Sequence, residues 1–440
     1  MLVDFEVENF RSYRETKRFS LVASSAKELP QNLIDTGLGL NLVRTAAIYG
    51  PNASGKSNLL AAMNWVSEIL DSPMNRSLTA EILVSPFALD RISATNPSRF
   101  RVNFVVEGVL YEYSIAVRPK MVDEERLVAH PHGRPQEWFH RRGKEVDFNS
   151  TYLKGQKQSL RGMTPDNAPL LAVAAAFGHR QLLPPARWLA RNLCDRFDTL
   201  ESPKRGPGIG QPWEKTARLC HQDRSFHEWV NAFLRHADLG IQEVQIEVIE
   251  QKDRRPVSEH STDGMRIITL GEFPGERHEP VFVHSGDDGV TARFSLSNES
   301  DGTRRLFAML APLYELLRDG GLAAVDELSA SLHPSLVREL VRVFHDPQLN
   351  PKGSQLVFAT HDTSLLSRRL FRRDQVWFTE KNHGGATDLY SLHDVKGVLA
   401  DEPFEKGYTR GRYGAIPFFG QLDFPPVSQE ASGRPSRGAL

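Results

Sequence analysis

Alternation opens the chain. Val3, Phe5 and Val7 are apolar while Asp4, Glu6 and Glu8 are polar, a period of two that predicts a half-buried strand. A second β run follows at 18–22. Phe100, Val102, Phe104 and Val106 alternate with more polar neighbours, and Glu107-Gly108 turns the chain into the run 110–117, which predicts a hairpin. Between these lies the apolar run Thr45–Tyr49, followed by Leu59, Leu60, Met63, Val66 and Leu70 at helical spacing. Early antiparallel strands beside a strand–turn–helix unit predict an α/β fold with a mixed sheet.

The pattern weakens from about 120 to 290. Residues 180–197 read as helix apart from Pro184-Pro185, and 226–237 read as another helix. Val244, Ile246 and Val248 alternate with Glu243, Gln245 and Glu247 as a strand. No sustained heptads occur, so a long coiled-coil arm is not expected. Beyond this span, Leu306, Leu310, Leu313 and Leu317 mark one face of a helix. Short apolar strands follow at 322–325 and 355–359, the first ending in Asp326-Glu327 and the second in Thr360-His361-Asp362. The tail from 425 is turn-rich, which predicts disorder.

Composition narrows the partners. A chain of 440 residues exceeds one ordinary domain, and 40% hydrophobic with 25% charged residues fits a soluble globular protein. The formal net charge of −1 gives no global basic footprint, so any nucleic-acid contact must be local. Arg141-Arg142, Arg368-Arg369 and Arg372-Arg373 are the candidates, with solvated helix faces as the plainer reading. No run of 18 apolar residues and no leader pattern is found, which predicts a cytoplasmic protein without membrane contact. Two cysteines, Cys194 and Cys220, offer neither a disulfide framework nor a metal cluster.

The chemistry concentrates at strand ends. Gly50, Pro51, Asn52, Ala53, Ser54, Gly55, Lys56 and Ser57 fit the G-x-x-x-x-G-K-[ST] phosphate loop, between a strand and a helix that continues through Asn58. The glycines let backbone N–H groups converge on phosphate oxygens, Lys56 adds a cation for the β- and γ-phosphates, and Ser57 offers a hydroxyl to Mg²⁺. Asp326 can hold the Mg²⁺ shell, and Glu327 can take a proton from an attacking water. Ser300 and Gly302, in a small-residue turn before the 306–317 helix, can offer a hydroxyl and free N–H groups to an anion, or form an ordinary helix cap. His361, at the end of a parallel strand, can reach a γ-phosphate and sense its loss. ATP with Mg²⁺ is the expected cofactor pair.

The order of phosphate loop, Ser-Asp-Gly helix, Asp-Glu strand, His-Pro turn and Thr-His strand resembles the ATP-binding-cassette (ABC) ATPase superfamily, especially its SMC and recombination-repair branch. Within it, the chain is most similar to stand-alone AAA-family ATPases that accompany anti-phage or abortive-infection genes. Glu8-Asn-Phe-Arg-Ser-Tyr13 matches that branch's opening element, and the resemblance brings Arg11 and Ser12 to the nucleotide. It makes Ser300 and Gly302 part of the signature that clamps the γ-phosphate of the opposite subunit, Ser331–Pro334 the D-loop, and His361 the switch histidine. The signature here reads Ser-Asp-Gly-Thr instead of Ser-Gly-Gly-Gln, and the family's Q-loop glutamine has only Gln181 and Gln136 as candidates. The segment 408–417 looks like the C-terminal end of the defence ATPases.

The resemblance implies an ABC-type head split into 1–120 and 291–420, an inserted helical/β lobe at 121–290 and a disordered tail at 421–440. It implies a homodimer or higher homo-oligomer that sandwiches ATP, acting as the sensor ATPase of a phage-defence pair with a separate effector protein. The alternative is a DNA-repair or DNA-structure clamp stimulated by nucleic acid. A self-contained nuclease is disfavoured, because the residues after His361 show no Asp-x-Asp strand end. A transporter ATPase is disfavoured by the early hairpin and the insertion.

Overall fold

The computed structural model describes residues 1–71, 80–193, 197, 211–237, 239–260, 266–286, 288–398 and 402–417. The tail expected at 421–440 and Cys194 lie outside the described residues. In chain order the elements begin with β1 (Leu2–Glu8), β2 (Lys17–Ser20), β3 (Leu33–Asp35), β4 (Asn41–Val43), β5 (Thr45–Tyr49) and α1 (Lys56–Asp71). A run of antiparallel strands follows: β6 (Ser98–Val106), β7 (Val109–Arg118), β8 (Met121–His130), β9 (Gln136–Arg142) and β10 (Glu145–Phe148). Next come α2 (Lys157–Met163), α3 (Leu170–Ala176), α4 (Leu183–Asn192), α5 (Pro212–Gln222) and α6 (Arg224–His236). The chain continues through β11 (Ile241–His260), β12 (Arg266–Ser285), β13 (Thr291–Ser295), α7 (Asp301–Asp319), β14 (Leu322–Val325) and α8 (Pro334–His345). It closes with β15 (Gln355–Ala359), β16 (Val376–Lys381), β17 (Thr387–Ser391) and α9 (Phe404–Thr409).

Strand β5 is central in a sheet ordered β14-β15-β5-β16-β17. Its first four strands are parallel, and β17 pairs antiparallel to β16. The continuous apolar runs have the physical reason expected of parallel strands, burial on both faces. Ala46 and Ile48 of β5 enter one core with Val357, Ala359, Leu322 and Ala324; Ala47 and Tyr49 enter the other with Leu356, Phe358, Ala323 and Val325. Helix α1 and the antiparallel sheet cover the first face, while α7 and α8 cover the second. The fold is therefore mixed α/β around a phosphate-loop strand, but the early antiparallel strands form a sheet of their own, and the phosphate-loop sheet is mixed only through the late strand β17.

The antiparallel sheet has seven strands in the order β10-β9-β8-β7-β6-β1-β2. The expected hairpin is β6–β7, with Val106 opposite Val109, and strands β8 to β10 extend the same sheet past residue 121. Helix α4 starts later than the 180–197 expectation because Pro184-Pro185 sits in its first turn, where missing N–H groups cost nothing, and residues 194–196 of that expectation lie outside the described residues. The strand expected around 244–248 is the start of β11, which pairs with β12 over two 20-residue strands, from Ile241 opposite His284 to His260 opposite Arg266. At about 3.3 Å per residue such a hairpin spans roughly 65 Å. Among the described residues, no helix is long and apolar enough to cross a membrane.

Candidate nucleotide site

Register places the chemistry along one edge. Phe358 pairs with both Val325 and Ala47, so the carboxyl ends of β14, β15 and β5 are level. Asp326, Thr360 and Gly50 leave those ends side by side, the place where open α/β sheets bind ligands. The turn after β5 needs its glycines: Gly50 has φ +152° and Gly55 φ +118°. A Cβ on Gly50 would lie 2.3 Å from the Thr379 carbonyl oxygen, and one on Gly55 would lie 2.3 Å from Thr387 Oγ1. Both conformation and space exclude a side chain there. Ala53 also takes a left-handed backbone, φ 61°.

Lys56 opens α1 and is 6% exposed. Its Nζ donates to the carbonyls of Gly50 at 2.8 Å and Pro51 at 3.0 Å, so it lies folded over its own loop. Burial holds its pKa below the usual lysine range, opposed by the charges of Asp326 and Glu327. His361 is lowered too, by burial first and then by Lys56, with Glu327 and Asp326 opposing. Lys56, Asp326, Glu327 and His361 therefore share one electrostatic neighbourhood. Asn52, Ala53, Ser57, Glu327 and His361 are exposed, so this neighbourhood opens to solvent.

Asp326 carries the sharpest signal of a cation. Its Oδ1 is buried without a hydrogen-bond partner among the described residues, a costly arrangement for a carboxylate oxygen. Among the described residues no group of three His, Cys, Asp or Glu could hold a metal ion. One carboxylate with the Ser57 hydroxyl suits Mg²⁺, which keeps waters and takes phosphate oxygens as further ligands. Glu327 sits at φ 51°, a strained region for a residue with a side chain. Arg305 of α7 clamps this turn, donating to the carbonyls of Ala330 at 2.8 Å and Glu327 at 3.1 Å.

Ser300 is the N-cap of α7: its Oγ accepts from Thr303 N at 3.1 Å and lies 2.9 Å from Thr303 Oγ1. Within one chain, the ordinary cap is what it forms. It is nevertheless exposed at the tip of that helix. Gly302 packs against the turn after Glu327, where Ser331 has φ 61°. His333 caps α8 by accepting from Ser335 N at 3.3 Å.

The opening element is knitted to the phosphate loop. Ser12 Oγ accepts from Asn58 Nδ2 at 2.7 Å, and Arg11 NH1 donates to Asn58 Oδ1 at 3.4 Å. Three supports have no role assigned to them by the sequence, although Tyr13 lies within the opening element. Tyr13 OH donates to the Gly55 carbonyl at 3.1 Å, and Thr387 Oγ1 lies 2.8 Å from both Ser12 Oγ and the Ser54 carbonyl oxygen. Thr379 Oγ1 lies 2.6 Å from Ser54 Oγ. Tyr13 adjoins the recognisable Arg11-Ser12 pair, whereas the two threonines belong to unremarkable strands. The Q-loop candidates do not join this network: Gln136 begins β9, and Gln181 is tied to the 152–154 loop through Lys154 N and the Tyr152 carbonyl. Segment 408–417 folds back on β16, with Tyr408 stacked on Phe378 at 5.4 Å and Tyr390 OH donating to the Tyr413 carbonyl at 2.8 Å.

No curated protein matches the sequence. Among solved structures, one described as the SmcHead bound to the C-winged helix domain of ScpA is similar at 12% identity and a TM-score of 0.40, covering 89% of this chain and 97% of that chain. Residues 46–367, well over half of the sequence, match the family described as "AAA domain, putative AbiEii toxin, Type IV TA system", and this chain, with its phosphate loop, belongs to that family of AAA-type ATPases.

Proposed function

We propose that this chain binds ATP with Mg²⁺ and hydrolyses it as a nucleotide-driven switch. The observation that supports this best is the buried Oδ1 of Asp326, without a partner among the described residues, beside the lysine of a phosphate loop. Lys56, together with the N–H groups of 50–57, holds the phosphates, while Ser57 and Asp326 would hold Mg²⁺. That ion, when bound, neutralises charge on the phosphates. Glu327 orients a water and accepts its proton, and a neutral His361 donates to the γ-phosphate. The edge is open to solvent, which fits a site completed by Ser300 and Gly302 of a second copy. Arg11 and Ser12 approach the same nucleotide from the opening element.

The biological setting we infer is cytoplasmic phage defence, with a separate effector restrained until infection. It rests on the resemblance of the motifs to defence ATPases; the family's description, which names a putative toxin of a toxin–antitoxin system, supports a two-gene setting and not the division of roles within it. Phosphate release from ATP by the purified chain tests the chemistry. Mg²⁺-dependent release is expected, and none with either Mg²⁺ or EDTA would overturn it. For the setting, expression of this chain alone should be tolerated by cells, with toxicity appearing only when the neighbouring gene is added; toxicity from this chain alone would overturn it.

A further inference from the structure

The three arginine pairs have different fates. Arg141 is buried, donating through NH1 to the Ala168 carbonyl at 2.7 Å and through Nε to the Gly143 carbonyl at 2.8 Å, and Arg142 faces Asp147 at 3.3 Å. Arg372 is fully buried against Asp374 at 2.9 Å, and Arg373 faces Glu28 at 3.4 Å. Arg368 and Arg369 are different: both are exposed, and neither guanidinium has an ion pair with a described residue.

They line a groove of about 410 Å³ between α8 and the start of α9. Arg338 and Arg342 enter it from α8, Lys406 from α9, and Glu405 is its single carboxylate. Among the described residues lining it there are five cations and one anion, and with Glu339 paired to Arg342 a positive excess of three remains on a chain of net charge −1. The wall is built and not merely decorated: Arg338 NH2 donates to the Ser364 carbonyl at 3.0 Å, and Arg342 is braced by Glu339 at 2.5 Å. Ser364 Oγ, on the same wall, is buried without a partner among the described residues. Leu366, Leu370 and Phe404 line the groove but are 2–4% exposed, which leaves Pro403 as its one exposed apolar side chain among the described residues and little to anchor a peptide side chain. Attraction here must come from charge and hydroxyl donors, the regime of a phosphate backbone.

We propose that this groove binds the phosphate backbone of a nucleic acid. The site is separate from the nucleotide loop, and its binding does not depend on the ATPase reading. Fluorescence anisotropy of the full chain with a labelled duplex DNA of about 20 base pairs, titrated from about 50 to 200 mM salt, is the test. The native chain should bind with a log-affinity that falls linearly with log salt. The double variant R368E/R369E should bind at least about tenfold more weakly, with the salt slope smaller by about two. R142E, on strand β9, should change neither. If the reversed pair does not fold by circular dichroism, R368Q/R369Q carries the same comparison. No binding by the native chain at low salt would overturn the proposal, as would undiminished affinity in the folded variant. Polyglutamate held as tightly as DNA and lost on the same substitutions would also overturn it, assigning the groove to an acidic protein segment.

Discussion

Gly302, in the first turn of α7, and Ser331, in the turn after Glu327, touch through backbone: a Cβ on Gly302 would lie 2.6 Å from the Ser331 carbonyl oxygen. Gly302 has ordinary helical geometry, so space and not conformation demands glycine. The contact ties the tip of α7 to the turn that carries Glu327, and Arg305 reinforces it from one turn further on.

Gly302→Ala should therefore separate helix from turn, despite alanine's better helix propensity. A loss of about 1–3 kcal/mol in stability is expected for forcing a methyl into that contact, with ATPase activity falling further as Glu327 shifts. Gly162→Ala is the internal comparison, since it lies in α2 with nothing within 4 Å of the added Cβ. It should be neutral or stabilising by up to about 1 kcal/mol. Urea unfolding of both variants checks this, and equal behaviour would show that the contact gives way freely.

Glu327→Gln should retain ATP binding and lose turnover by about 100-fold or more, because the amide keeps the shape but cannot accept the water's proton. Equilibrium binding of a fluorescent ATP analogue, set beside phosphate release, reads the two effects apart. Turnover near the native rate would move the base to another residue.

The strand ends were legible for a physical reason. Gly50, Asp326 and His361 each stand at or just beyond the end of a short apolar strand buried on both faces, so one-dimensional hydrophobicity marks where polar chemistry begins. Thr379 and Thr387 were not legible, because their role arises from β16 and β17 lying against a loop more than 300 residues earlier in the chain. The middle of the chain resisted reading for another reason. The 20-residue strands of β11 and β12 contain runs such as Lys252-Asp-Arg-Arg255 and interruptions at Pro256, Gly271 and Pro274, which break the two-residue alternation. Arg141 and Arg368 show the limit of charge counting: both belong to arginine pairs, yet one is inside the core and the other lines a groove.

A pH dependence follows from His345, buried beneath β5 with Nε2 2.7 Å from Thr45 Oγ1. Burial, with Arg44 nearby, lowers its pKa to about 3. The folded chain keeps this imidazole neutral, while the unfolded chain protonates it below about pH 6.5. The unfolded state thus binds the extra proton, and the stability contribution is full above about 6.5 and lost progressively as pH falls toward 3. Between pH 7.5 and 5.5 this one group should cost on the order of 1 kcal/mol. His345→Gln should show a correspondingly smaller drop in unfolding free energy over that interval; an identical drop would place the acid sensitivity elsewhere.

The shared site makes the most demanding prediction, because within one chain Ser300 only caps its own helix. Lys56→Ala removes the cation that folds over the phosphate loop, and Ser300→Arg places a bulky side chain at the exposed tip of α7. Each variant should be inactive alone. When the two are mixed and subunits exchange, one site of a mixed dimer carries both lesions, while the other pairs an intact loop with an intact helix tip. Random exchange makes about half the dimers mixed, so activity should recover to roughly a quarter of native for independent sites and to less if they are coupled. Native mass spectrometry confirms the exchange, and phosphate release measures the recovery. Full activity of Ser300→Arg by itself would remove Ser300 from the site, whereas inactivity alone with recovery on mixing would place it against the nucleotide of the other subunit.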